Sequence, residues 1–182
     1  MLLPLGESPK FDQAAFLAGY REIKQNNGIY DMSLSQKELY QYLKTLPKDV
    51  TIAAHPFLAD SIPIFSKRKV FINFELSHTW YNNYWETVEK RTFDFFDAYY
   101  SEDLKFIYEF CKRNKIDYLV VDTNLFSKEY LNRKRFYFEP FNSYIINLIK
   151  NRKFFALANI PDSKKDFIKN NIFLVKTDRL IN

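Results

Sequence analysis

The chain has 182 residues, with 27 Lys and Arg against 22 Asp and Glu, 47% hydrophobic and 27% charged side chains. This mix excludes intrinsic disorder, and the length suits one α/β-sized domain that buries roughly 70% of its unfolded surface. No apolar run approaches the ~18 residues of a membrane helix, the opening "MLLPLG" lacks the basic region and length of a signal peptide, and the lone Cys111 excludes an internal disulfide.

Residues 1–32 carry weak signals and predict a loosely structured segment with one short helix over "DQAAFLAGYREIKQ" (12–25). Ser35 and Glu38 have the spacing of a capping box, with Leu34 and Leu39 as its staple. Leu39, Leu43 and Leu46 then give one apolar face, and Pro47 ends the helix. "VTIAA" (50–54) and "KVFINFE" (69–75) read as strands. Between them Asp60 can cap a two-turn helix that tolerates Pro63 in its first turn and ends at Lys67–Arg68.

The strongest helical pattern covers 79–99, where Tyr81, Trp85, Val88, Thr92, Phe95 and Tyr99 share one side. Lys90 and Asp94 stand four apart on the other side. Ser101 is the expected cap of the next helix, whose inner face holds Leu104, Ile107, Tyr108 and Cys111. On that face Cys111 reads as a core residue. "IDYLVVDT" (116–123) is a strand buried on both faces. Helices follow near 127–133 and 141–152, then a strand over "FFALAN" (154–159), a short helix near 162–169 and a strand over "IFLVK" (172–176). Helices alternating with strands predict one α/β domain over 1–182, with a mainly parallel sheet of about five strands covered by helices.

Ligands of open parallel sheets sit beyond the carboxyl ends of the strands. That rule selects His55 after the first strand, Glu75 and His78 after the second, and Asp122 and Asn124 after the third. These side chains either converge on a binding cleft or cap helices and tie down loops. Arg68 and Arg91 are the arginines with specific positions, as anion contacts or as structural ion pairs. Two histidines and scattered carboxylates lack metal-site spacing, and three glycines leave no P-loop, G-x-G-x-x-G or G-x-S-x-G, so neither a catalytic motif nor a cofactor is implied.

Charge is uneven. Residues 102–182 hold 16 basic and 10 acidic side chains, clustered at 112–115, 133–135, 150–153 and 164–165. Solvated surface, an anionic lipid surface or an anionic substrate accounts for such clusters ahead of nucleic acid. The 19% aromatic content follows a composition rich in Asn, Lys, Ile, Phe and Tyr, and is not read as a nucleic-acid signature.

The segments "LYQYLKTLPKDVTIAAHP", "ADSIPIFSKRKVFINFE", "RTFDFFDAYYSEDLKFIYEF" and "IDYLVVD", in that order, carry a resemblance over roughly 36–125. Ala59, Asp60, Ile62, Pro63, Phe65 and Arg68 form one motif, Arg91, Thr92 and Asp94 a second, and Ala98, Tyr100 and Ser101 a third. The set resembles the C-terminal soluble domain of uncharacterised, mainly cyanobacterial polytopic membrane proteins that look like C-type integral-membrane glycosyltransferases. It is more distantly similar to the soluble domain of oligosaccharyltransferase catalytic subunits. Those carry Trp-Trp-Asp after the first strand, where this chain reads His55, Pro56, Phe57, so their acceptor recognition does not carry over.

The resemblance implies an extramembrane accessory domain that is non-catalytic alone, at the extracytoplasmic face of a membrane. Its implied partners are a membrane domain, anionic lipid headgroups or a lipid-linked sugar. The alternative is a free-standing small α/β enzyme or binding protein using a cleft of His55, Glu75 and Asp122.

Overall fold

The computed structural model describes residues 33–77 and 82–181, and helix α1 (Leu34–Thr45) is the first element among them. The expected helix over 12–25 and the positions His78 and Tyr81 lie outside the described residues. The capping box is Ser33 with Gln36, not Ser35 with Glu38. Gln36 N–H donates to Ser33 Oγ (3.3 Å), and Ser33 N–H donates to Gln36 Oε1 (3.1 Å). Both pairs have the required spacing. The earlier one caps the helix because Ser35 is turned inward and accepts from Asn170 Nδ2 at 2.7 Å. Leu34 therefore sits inside the helix, 65% exposed, and staples nothing, while Leu39 and Leu43 are fully buried.

Five strands form one open sheet: β1 (Thr51–Ala53), β2 (Lys69–Val70), β3 (Tyr118–Asp122), β4 (Lys165–Lys169) and β5 (Ile172–Lys176), in the order β2-β1-β3-β5-β4. β1 is parallel to β2 and β3, whereas β5 is antiparallel to β3 and β4. The fold is the expected α/β class, parallel in its N-terminal half and closed by an antiparallel hairpin. Leu119, Val120 and Val121 of β3 and every residue from Ile172 to Val175 of β5 are buried. These central strands are covered on both faces.

The link from β1 to β2 is helical, through α2 (Pro56–Ala59) and α3 (Ser61–Ser66). α3 ends at Lys67 in a left-handed conformation, φ 55°. The second strand is shorter than its sequence suggests. After Val70 the chain makes one more bond to β1, from Phe71 N–H to Ile52 O, and then turns into a 3₁₀ helix at Glu75–Ser77.

Two expected elements differ in kind. Residues 154–159 are not a strand; they end in a 3₁₀ turn, Leu157–Asn159. Their amides are already engaged: Lys153 N–H and Phe154 N–H donate to Glu102 Oε1, and Ala156 N–H donates to Ser101 O. This holds the segment against Ser101 and Glu102, just before the helix that begins at Leu104, and outside the sheet. The expected helix near 162–169 is instead β4, which pairs with β5 across a two-residue turn at Asn170 (φ 52°) and Asn171. Left-handed backbone at an Asn is what such a hairpin requires, and a lysine-rich strand is a common sheet edge.

The helices behave more as expected. α4 (Asn82–Tyr99) buries Val88, Thr92, Phe95 and Tyr99, but Trp85 is only half-buried. Thr92 Oγ1 donates to Val88 O (2.8 Å), which satisfies a hydroxyl on the apolar face. α5 (Leu104–Arg113) is capped by Asp103, whose Oδ1 accepts from Lys105 N–H at 2.8 Å. Ser101 stands two residues too early to cap; its Oγ accepts from Asp103 N–H and holds the cap residue in place. α6 (Lys128–Leu131) and α7 (Phe141–Lys150) follow β3, and α7 packs on α4 through Phe141 against Phe93 (4.8 Å).

Candidate functional site

His55 stands two residues past the end of β1 and opens α2, so the fold carries it to the exit end of the parallel strands. The side chain is 2% exposed. Its ring lies among those of Phe57 (5.4 Å), Phe96 (5.8 Å) and Tyr99 (6.0 Å), and its Nε2 is 3.5 Å from Tyr130 Oη. Burial without a carboxylate neighbour pushes its pKa down to about 3, so the imidazole is neutral at physiological pH.

Asp122 ends β3 in the same neighbourhood. Its Oδ1 accepts from Asn124 N–H (2.9 Å) and from Asn171 Nδ2, while its own N–H donates to Tyr99 Oη (3.4 Å). Burial raises its pKa against the opposing effect of those two donors. His55 and Asp122 are thus brought together by way of Tyr99 and Tyr130. Asn124 points outward; only its backbone takes part. Glu75 stands apart: it is exposed, and its N–H donates to Asp60 Oδ1 at 3.0 Å. His78 lies outside the described residues. Sequence reasoning missed Tyr99 and Tyr130 as the link between His55 and Asp122, because nothing in their spacing separates a bridging tyrosine from a core aromatic. The neutral imidazole faces rings on several sides, so its chemistry here is cohesion; a general base must reach the proton that it removes.

The entry end of the strands is held by Arg68. It is 6% exposed, and its guanidinium donates to the carbonyls of Ser66 (2.9 Å), Lys67 (3.2 Å), Lys44 (2.6 Å) and Leu46. These carbonyls close the C-terminal ends of α1 and α3, where backbone acceptors lack helical partners. Asp60 does not cap α3: it has αR backbone geometry and makes no side-chain cap bond. Its carboxylate crosses instead to the turn at Glu75, because a helical backbone at Asp60 continues α2 into α3 and leaves no free first-turn amide within its reach. Burial pushes its pKa up to about 6, against the lowering effect of the bond from Glu75 N–H.

Arg91 is exposed, with its guanidinium 5.7 Å from the Phe71 ring centre. It lines a groove of about 310 Å3 with Glu86, Lys90, Asp94 and Asn114. A second groove of about 460 Å3 runs beside the exit end of β3, with Phe126, Leu131, Phe154 and Phe155 as its apolar wall and Lys128 and Lys153 at its margin. Cys111 is fully buried, and desolvation pushes its thiol up to about 12. Among the described residues no group of three His, Cys, Asp or Glu side chains could hold a metal, and no helix is long and apolar enough to cross a membrane.

No protein-family model and no curated protein matches the sequence. Among solved structures, the chain is similar to the C-terminal globular domain of an oligosaccharyltransferase from Archaeoglobus fulgidus, at 14% identity and a TM-score of 0.48, covering 80% of this chain and 98% of that one.

Proposed function

We propose that this chain is an extramembrane accessory domain of a membrane glycosyltransferase-like protein, without catalysis of its own. The observation that carries the reading is what its motif residues do. Asp60 holds the turn at Glu75, Arg68 closes two helix ends, Thr92 bonds within α4, Asp94 pairs with Lys90 at 2.6 Å, and Ser101 seats the cap of α5. Residues engaged in joinery mark a shared architecture more than a shared reaction. The test is to detect the polypeptide in its own cells with an antibody against residues 33–182. Recovery from membranes, as part of a multi-spanning chain or bound to one, is the expected result. A free chain in the soluble fraction without a membrane partner overturns the reading.

A second reading is a free-standing α/β binding protein or enzyme. It draws on the groove of about 460 Å3 at the exit end of β3, the place where open α/β sheets hold ligands. His55 and Asp122 lie behind that end of the sheet, while Glu75 is tied to Asp60. Saturable binding of a small ligand, weakened by Phe154→Ala, distinguishes this reading from the first.

A further inference from the structure

Three consecutive apolar residues, Pro63, Ile64 and Phe65, stand at the surface on α3; Ile64 is 71% and Phe65 39% exposed. The same short helix buries Ile62 and Ser66, so its orientation is fixed by packing and the outer side is presented to solvent. A run of this kind is unfavourable in water unless it has a use.

Lysines surround it. Phe65 stacks on Tyr40 of α1, ring centres 5.6 Å apart. Lys37 and Lys44 lie three residues before and four after Tyr40, on the same side of that helix, and both are exposed. Lys67 caps α3, and Lys69 follows it into β2; both are exposed. None of these four lysines has a carboxylate partner among the described residues. The neighbouring acids are occupied or few: Asp60 accepts from Glu75 N–H, and Glu38 is paired with Lys169 at 3.0 Å. Two exposed carboxylates lie on neighbouring segments, Asp49 two residues before the β1 partner of Lys69 and Glu75 beyond β2, and the buried Arg68 adds a fifth cation.

We propose that this tip docks on the surface of an anionic lipid bilayer, with Ile64 and Phe65 entering the interfacial zone and Lys37, Lys44, Lys67 and Lys69 lying among the headgroups. The chemistry favours lipid over a protein partner. The two grooves described above have no residue of α3 in their walls, and the tip turns its apolar residues outward to solvent. Lysines on flexible stems, around a small apolar insertion, suit a fluid negative surface. The sequence alone directs attention to the basic C-terminal third; the structure adds an apolar tip with its own cations at the other end of the chain. The inference rests on the proposed function only in taking a membrane to be the adjacent phase.

The experiment is co-sedimentation of the full chain with vesicles of equal parts phosphatidylserine and phosphatidylcholine, against phosphatidylcholine alone. Binding to the anionic vesicles, falling as salt rises, is the expected result. Ile64→Asp, and separately Lys67→Glu with Lys69→Glu, should each lower partitioning about tenfold or more, at roughly fivefold for each lysine removed from the surface. Lys134→Glu with Arg135→Glu, an equal charge reversal in the C-terminal cluster, should change it less than about threefold, since charges beyond a Debye length of the surface count little. A thermal melt of each variant confirms folding, and Ile64→Ser replaces Ile64→Asp if the latter melts early. The proposal is overturned by equal binding to both vesicle types, by no binding, by Ile64 variants that partition like the parent, or by loss of binding in the Lys134/Arg135 variant. None of these outcomes bears on whether the chain is joined to a multi-spanning protein in its cells, which the antibody experiment decides.

Discussion

The two ends of the parallel strands solve the same problem by different means. At the entry end one buried cation, Arg68, is surrounded by backbone carbonyls. At the exit end one buried imidazole, His55, is surrounded by aromatic rings. The first is a directional solution: the planar fork of an arginine matches several fixed acceptors, and no other side chain substitutes for it. The second is a packing solution, in which shape matters more than the ring's nitrogens. The entry end should therefore be intolerant of any substitution, and the exit end tolerant of an isostere.

The largest effect is expected at the entry end. Arg68→Leu should cost about 3–5 kcal/mol, since a buried acceptor left unpaired costs about 1–3 kcal/mol and several are stranded together. Arg68→Lys should recover little of it. A urea midpoint barely moved by either change would break the comparison. Next, His55→Ala should cost about 2–4 kcal/mol through the cavity that it leaves, whereas His55→Phe should cost less than about 1.5 kcal/mol. Equal losses for the two would show that the bond to Tyr130, not the packing, secures this end.

The pH dependence sharpens the same contrast. His55 has a folded pKa of about 3, below its ordinary 6.5, so between those values the unfolded chain binds more protons. Its contribution is complete above pH 6.5 and is lost as pH falls toward 3. Asp60 acts in the opposite sense: raised from 3.8 to about 6, it favours the folded state at low pH, and this advantage is lost as pH rises through 6. In stability curves between pH 7 and 4, His55→Phe should flatten the acid-side decline and Asp60→Asn should steepen it. The smallest effect is expected for Asp60 at pH 7. Asp60→Ala should cost at most about 1 kcal/mol through the lost bond to Glu75 N–H, while Asp60→Asn, which keeps an acceptor and sheds a desolvated charge, should be at least as stable as the parent.

The N-terminal half of the described fold was legible because its punctuation is local. Pro47, the short helix with Pro63 in its first turn and the unbroken apolar run of β3 each declare an element without reference to distant residues; the turn of helix at Pro56–Ala59 does not. The C-terminal hairpin was not legible in the same way. β4 carries Lys165, Asp166 and Lys169 around Phe167 and Ile168, a pattern that suits an exposed edge strand and a short helix equally, and only the Asn170–Asn171 turn tells them apart. Residues 154–159 read as a strand because Phe155, Ala156 and Leu157 are buried, yet their hydrogen bonds go to Ser101 and Glu102, some fifty positions earlier. At the exit end, sequence set His55 after the first strand and Asp122 after the third, without saying that those strands adjoin. It could not show that aromatic side chains from α2, α4 and α6 fill the space between them.

The strand order sets a timetable for synthesis. β3 is buried on both faces, but one of its two neighbours is β5, about 50 residues further along the chain. At the ~5–20 residues per second of a ribosome, the nascent chain presents the apolar Leu119-Val120-Val121 ladder with an open edge for roughly 3–10 s before Phe173 and Leu174 emerge. Assembly between chains takes milliseconds to minutes, depending on concentration, so pairing between crowded nascent chains falls within that interval. During this interval a growing chain of this sequence is at its most vulnerable to joining a neighbour on the same message, and a trigger-type holdase that shields the β3 edge would act there to best effect.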